Sequence, residues 1–146
     1  MSWEDAEARI VEVLETLEIT EPDAQKIVRV YPEMPGTIGD LPCVILTGPE
    51  VIAVNRINSI RSVVYALPLQ LLLRDADKAR AQALVKAYRK AIIDLFDANL
   101  TLQGRATAVE GPTDCKPATF DYGGQKYVGM DALLTVHIEE GKAFSG

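Results

Sequence analysis

Two stretches of helical periodicity, each followed by a run of strand-like segments, constrain this chain more than any single residue does. Trp3, Ala6, Ile10, Val13, Leu14 and Leu17 recur at helical spacing and predict an amphipathic helix from Ser2 to about Leu17. Ser2 is its N-cap, with Asp5 three residues on and Glu4 in the first turn, where the helix dipole favours acids. The second helix is expected from Asp75 to Asp97, capped by Asp75 or Asp77. Its buried stripe is Leu84, Ala87, Tyr88, Ala91, Ile92, Leu95 and Phe96.

The segments around these helices read as strands and turns. Lys26 to Tyr31 alternates and is β-branched, so one strand is expected there. Pro32 to Pro42 carries three prolines and two glycines and reads as a loop of defined course. Pro42 to Thr47 is a short continuous apolar run, the pattern of a strand buried on both faces. Val51 to Asn55 reads as a further strand followed by a turn, and Arg61 to Leu73 as a long one. Pro68 in the middle of that long strand lacks a backbone donor, which places it at a sheet edge or a bulge. After a turn at Gln103-Gly104, a strand is expected over Arg105 to Glu110 and a loop over Gly111 to Pro117. Phe120 to Tyr122, Gly123-Gly124 and Gln125 to Tyr127 form a hairpin signal, because two adjacent glycines permit the positive φ angles of a type I′ turn. Asp131 to Glu139 is the last strand, with Leu134, Val136 and Ile138 on one side and Thr135 and His137 on the other. Residues 140–146 are a short tail expected to fray.

Helix, strands, helix, strands is the order of an α+β fold. The expectation is a mainly antiparallel or mixed sheet, with the N-terminal helix and one long central helix packed on one face. At 146 residues, the chain fits a single domain spanning 1–146. A chain of this size buries roughly 70% of its unfolded surface, so an ordinary core is within reach.

Charge is distributed unevenly. The net charge is −6, which argues against a general nucleic-acid binder with a basic face. Residues 1–21 hold seven acids against one base, Arg9, while residues 22–146 hold fourteen of each sign. Glu12, Glu15 and Glu18 lie away from the apolar stripe of the first helix, and helix stability does not explain them. The second helix carries Lys78, Arg80, Lys86, Arg89 and Lys90 with no acid among them. These opposed faces are candidates for pairing within the chain or between subunits, where complementary patches fix orientation and on-rate more than affinity. The candidate interface residues are therefore Glu12, Glu15, Glu18, Lys78, Lys86, Arg89 and Lys90. Pro68 and the Gly123-Gly124 hairpin mark strand edges where backbone groups are open to inter-subunit pairing.

The sequence offers little chemistry. It contains neither G-x-x-x-x-G-K-[ST] nor G-x-G-x-x-G, and neither a G-x-S-x-G elbow nor an H-E-x-x-H pair. His137 is the sole imidazole and reads as a partly buried sheet residue. Asp75 and Asp77 are explained by capping rather than by a metal, and Asn99-Leu-Thr101 is a sequon without an export signal. Cys43 and Cys115 are expected to be unpaired thiols, Cys43 in the core and Cys115 in a loop. No catalytic, cofactor or metal site is assigned. The acidic start has no apolar core of a secretory signal, and Val63 to Leu73 falls short of the roughly 20 residues of a spanning helix, so synthesis in a cytosol is expected.

The order of segments resembles the small tail-terminator, or tail-completion, proteins of long-tailed bacteriophages. The resemblance is carried by the N-terminal amphipathic helix, Tyr31-Pro-Glu-Met-Pro35, and Asp40-Leu-Pro-Cys-Val-Ile-Leu46. The long strand Ser62 to Leu71, the helix through Phe96, and Leu100-Thr-Leu-Gln-Gly104 follow. The hairpin Tyr122 to Asp131 and the strand Leu133 to Ile138 complete it. It spans nearly the whole chain and rests on no single diagnostic motif. It implies a non-enzymatic virion protein of the tail–neck region, assembled in the host cytoplasm. Such a protein forms a ring, typically a hexamer, on the tail-tube protein. It ends tube polymerisation and presents a surface to the head–tail connector, while DNA passes through the lumen without specific binding; the acidic and basic candidate residues would then meet between subunits or against the tail tube. Other neck or tail-tube adaptors, and a small α+β ligand-binding domain or enzyme, are the alternatives.

Overall fold

A computed structural model describes residues 2–57, 60–74, 77–102, 104, 106 and 108–141. Helix α1 (Trp3–Leu14) is followed by β1 (Glu18–Ile19), β2 (Gln25–Lys26), β3 (Arg29–Tyr31), β4 (Cys43–Leu46), β5 (Glu50–Ile57) and β6 (Ile60–Leu72). Helix α2 (Lys78–Asp97) then leads into β7 (Ala108–Tyr122) and β8 (Gln125–Gly141). The architecture is α+β. β1 and β2 form a small hairpin; the main sheet has the order β3-β4-β6-β8-β7, with β5 also paired to β6. β3 runs parallel to β4, and every other pairing is antiparallel.

Both helices lie on one face of this sheet. Ala6, Ile10, Val13 and Leu14 of α1 and Ala81, Leu84, Tyr88, Ile92 and Phe96 of α2 share one core with alternate sheet residues. Those are Val44 and Leu46 of β4, Leu67, Leu69 and Leu71 of β6, and Met130 to Ile138 at every second position of β8. The period-two alternation of β8 is what delivers Leu134, Val136 and Ile138 to this side. A smaller cluster covers one end of the opposite face: Tyr31, Cys43, Ile45, Leu72, Phe120 and Tyr122 pack beneath Ile38 and Leu41 of the 32–42 loop. Cys43 to Leu46 is buried throughout, as its continuous apolar run requires.

Capping follows the sequence. The Ser2 hydroxyl accepts from the Asp5 backbone N–H at 3.2 Å, and Asp77 Oδ1 accepts from Ala79 and Arg80. Asp75 lies outside the described residues. Gly123 and Gly124 have φ of 59° and 80°, the left-handed pair of the expected hairpin turn.

Four expectations are corrected. Helix α1 ends at Leu14, not Leu17. The Thr16 and Leu17 N–H groups bond to Val13 and Leu14 three residues back, and the Thr16 hydroxyl takes the Val13 carbonyl, closing the helix with a tight turn. Lys26 to Tyr31 is two strands rather than one. Ile27 and Val28 leave the ladder, Ile27 donating to Leu17 and Val28 to Pro42. Gly111 to Pro117 is not a loop but the middle of β7, whose register shifts at Glu110/Thr113 and Thr113/Lys116; Cys115 therefore sits in a strand. Pro112 and Pro117 are tolerated because β7 is an outer strand. Gln103, Arg105, Thr107 and residues 142–146 lie outside the described residues.

Pro68 is the fourth correction: it sits in central β6 and not at an edge, paired to Leu133 of β8. Its other flank explains how. β4 pairs with Leu69 to Leu72 and β5 with Ile60 to Ala66, so Leu67 and Pro68 fall at the seam between two partners. The Pro68 carbonyl accepts from the Thr47 N–H and hydroxyl at the corner where the chain leaves β4. A strand residue points its N–H to the same side as its carbonyl, so the missing donor falls at this seam, past the end of the β4 ladder and before that of β5.

Candidate subunit interface

The expected acidic and basic residues fall into three locations. Glu12 is exposed on α1 and pairs with Arg9 at 3.3 Å. Glu15 is the C-cap of that helix and exposed. Glu18 is in β1, which packs against α2, so it does not continue the α1 face. The acidic cluster of α1 is therefore Glu4, Asp5, Glu7, Glu12 and Glu15. On α2, Lys90 pairs with Asp94 at 3.0 Å and Arg80 pairs with Asp23. Lys86 and Arg89 are exposed and carry no ion pair among the described residues. The side chain of Lys78 lies outside the described residues. Among the described residues, Glu4, Asp5, Glu7 and Glu15 form no ion pair with a base of α2.

The two helices sit toward opposite edges of the sheet. Trp3 at the start of α1 stacks on Tyr65 of β6, ring centroids 4.6 Å apart, and the cross-strand partner of Tyr65 is Val51 of β5. The chain leaving α1 is held at Ile27, just before β3. α1 thus follows the β3–β5 edge. α2 packs on β7 at the other edge and is fastened to the β1–β2 hairpin by the Tyr88 hydroxyl, which donates to Gln25 at 3.2 Å. Burial pushes the Tyr88 hydroxyl up to about 12.

Sequence reasoning missed two features of these edges. β5 reaches from Glu50 to Ile57 and is exposed from Glu50 through Arg56, aliphatic side chains included. The signal was present in Val51-Ile-Ala-Val54, but an apolar run reads as buried until its partners are known. A groove of about 250 Å³ also opens between α2 and the β7–β8 hairpin, lined by Ala81, Gln82, Val85, Pro117, Thr119 and Val128 among others. It joins residues far apart in sequence and has no local signature.

Among the described residues, the remaining titratable groups form no second site. His137 Nε2 lies 2.7 Å from Glu110 Oε2 on the helix-free face, a cross-strand neighbour that spacing alone does not reveal. Cys43 and Cys115 are both free, and burial raises both thiols, Cys43 to about 12. Among the described residues, no group of His, Cys, Asp and Glu is arranged to hold a metal ion, and no helix is long and apolar enough to cross a membrane. No protein-family model matches this chain, and no curated protein matches it.

Proposed function

We propose that this protein is a structural ring subunit of the tail-terminator type. In this reading copies assemble head to tail on the end of a tail tube, stop its growth and offer the opposite face to the head–tail connector. One observation carries the reading: the acidic α1 and the basic α2 lie toward opposite edges of one sheet, and Lys86 and Arg89 stand exposed with no ion pair among the described residues. Such polarity suits a heterologous interface, in which one patch meets a different patch on the neighbour and the arrangement closes into a ring. Lys86 and Arg89, with Lys90 beside them, face the acidic edge of the next copy, to which Glu12 and Glu15 belong. The excess of acid also suits a conduit for DNA, since a neutral or acidic lumen forms few of the phosphate contacts that give affinity.

The test is assembly. Light scattering with negative-stain imaging is expected to show rings of about six subunits, by the tail-terminator resemblance and ring closure. Reversing charge at Lys86, Arg89 and Lys90 is expected to shift the protein toward monomer at low salt, where exposed charges are least screened. Unchanged assembly would remove these cations from the interface. A small α+β ligand-binding domain is the second reading, favoured by the groove beside α2; it predicts a monomer or dimer and no ring.

A further inference from the structure

The two edges differ in apolar surface as well as in charge. At the α1 edge, Val51, Ile52 and Val54 of β5 are exposed by 51%, 56% and 43%. β5 has no proline and no charge between Glu50 and Arg56, and pairs on one side only among the described residues. Edge strands are ordinarily blunted by charge, proline or bulges. The opposite edge strand, β7, carries two prolines and two register shifts. β5 has a single shift, between Val51 and Ala53. Left uncovered, a strand of this kind is an aggregation hazard.

At the α2 edge, the groove has an apolar floor of Ala81, Val85, Pro117 and Val128 and takes far more than a single water. Gln82 lines it, and Lys86 and Arg89 stand four and seven positions further along the same helical face. The groove is therefore apolar inside and positive at its rim. Neither cation forms an ion pair among the described residues.

We infer that β5 of one copy seats Val51, Ile52 and Val54 in the α2–β7 groove of the next copy, with Glu50 meeting Lys86 and Arg89. The occupant is a second copy because this chain supplies both halves of the match. The aliphatic ridge starts at an exposed acid and lies beside the acidic helix, whereas the apolar groove lies beside the basic one. Because ridge and groove occupy opposite edges of one sheet, the contact repeats in one direction and closes as a ring or runs on as a filament. This inference rests on the ring reading and names its contact. Three aliphatic side chains cover less than the ~800 Å² per partner of a standard interface, so assembly depends on concentration and on the charged flanks.

The test is a directed cross-link in the full chain with Cys115→Ser, Cys43 remaining buried and protonated. The double variant I52C/Q82C is expected to oxidise into a ladder of head-to-tail oligomers ending in a closed species. I52C and Q82C singly are expected to stay uncross-linked. A double variant that stays monomeric overturns the contact, as does I52C alone forming dimers, which would mean that β5 pairs with β5. Ile52→Asp, an exposed substitution, is expected to raise the concentration needed for assembly at least about tenfold; no change overturns the contact as well. Rings without the I52C–Q82C link would keep the ring reading and remove this contact, and a monomer throughout would remove both.

Discussion

Gly129 is where the sheet has least room, and Gly129→Ala is the most exacting perturbation of this fold. Gly129 lies in β8 opposite Leu72 of β6. A Cβ there would stand 1.7 Å from the Leu71 carbonyl oxygen and 2.8 Å from its carbon. Carbon and carbonyl oxygen ordinarily approach to about 3.3 Å, so the two strands would have to part by roughly 1.6 Å, a third of the normal strand spacing. The neighbouring ladder does not stretch that far: Leu73 N–H donates to the Val128 carbonyl at 2.9 Å on the same stretch of backbone. Losing about two backbone bonds at ~1 kcal/mol each, with an overpacking cost of ~1–3 kcal/mol, gives about 3–5 kcal/mol. That is a large share of a typical domain's stability of ~5–15 kcal/mol. Urea denaturation followed by the fluorescence of Trp3, the single tryptophan, reads it directly. Gly36→Ala is the control, since nothing lies within 4 Å of a Cβ at that position. A loss below about 1 kcal/mol for Gly129→Ala would refute the steric argument, because no ladder bond would then have been broken.

Two further outcomes test the fold that positions the interface. Asp77→Ala removes the acceptor for the Ala79 and Arg80 N–H groups and is expected to cost about 1 kcal/mol, read in the same denaturation assay. Tyr88 is held protonated by burial, its folded value raised from 10.0 to about 12. Above the unfolded value the unfolded chain gives up a proton that the folded chain keeps, so stability is expected to fall as pH rises from 10 to 12 and to be unaffected by this group below that window. Tyr65 and Tyr122, also raised by burial, act in the same direction. Tyr88→Phe is expected to flatten part of the alkaline decline in denaturation midpoint, and a profile identical to the parent would refute the assignment.

What could be read from sequence was what is decided locally. The α1 stripe, the Ser2 and Asp77 caps, the Gly123-Gly124 turn and the alternation of β8 each depend on neighbours a few residues away, and each appears as expected. What failed depended on position within the sheet. Pro112 and Pro117 signalled a loop, yet an outer strand with shifted register accepts them because its free side has no ladder bond to lose. Pro68 signalled an edge, yet a change of partner along one flank has the same effect. Val51 to Asn55 is a strand as expected, but its exposure was not legible, since burial is set by what packs above the strand and not by the strand itself. The groove beside α2 had no sequence signal because its walls meet only after α2 has folded back on the β7–β8 hairpin.

The seam at Pro68 divides the labour within the sheet. β4 and β5 occupy the same flank of β6 end to end and share no pairing with each other, so a load applied at β5 reaches the sheet through β6 and through the short 47–49 link to β4. The β4 ladder, with the 32–42 loop folded over its far end, holds a different stretch of β6. A neighbour gripping β5 therefore pulls on Ile60 to Ala66 while β4 holds Leu69 to Leu72, and the two stretches meet at Pro68.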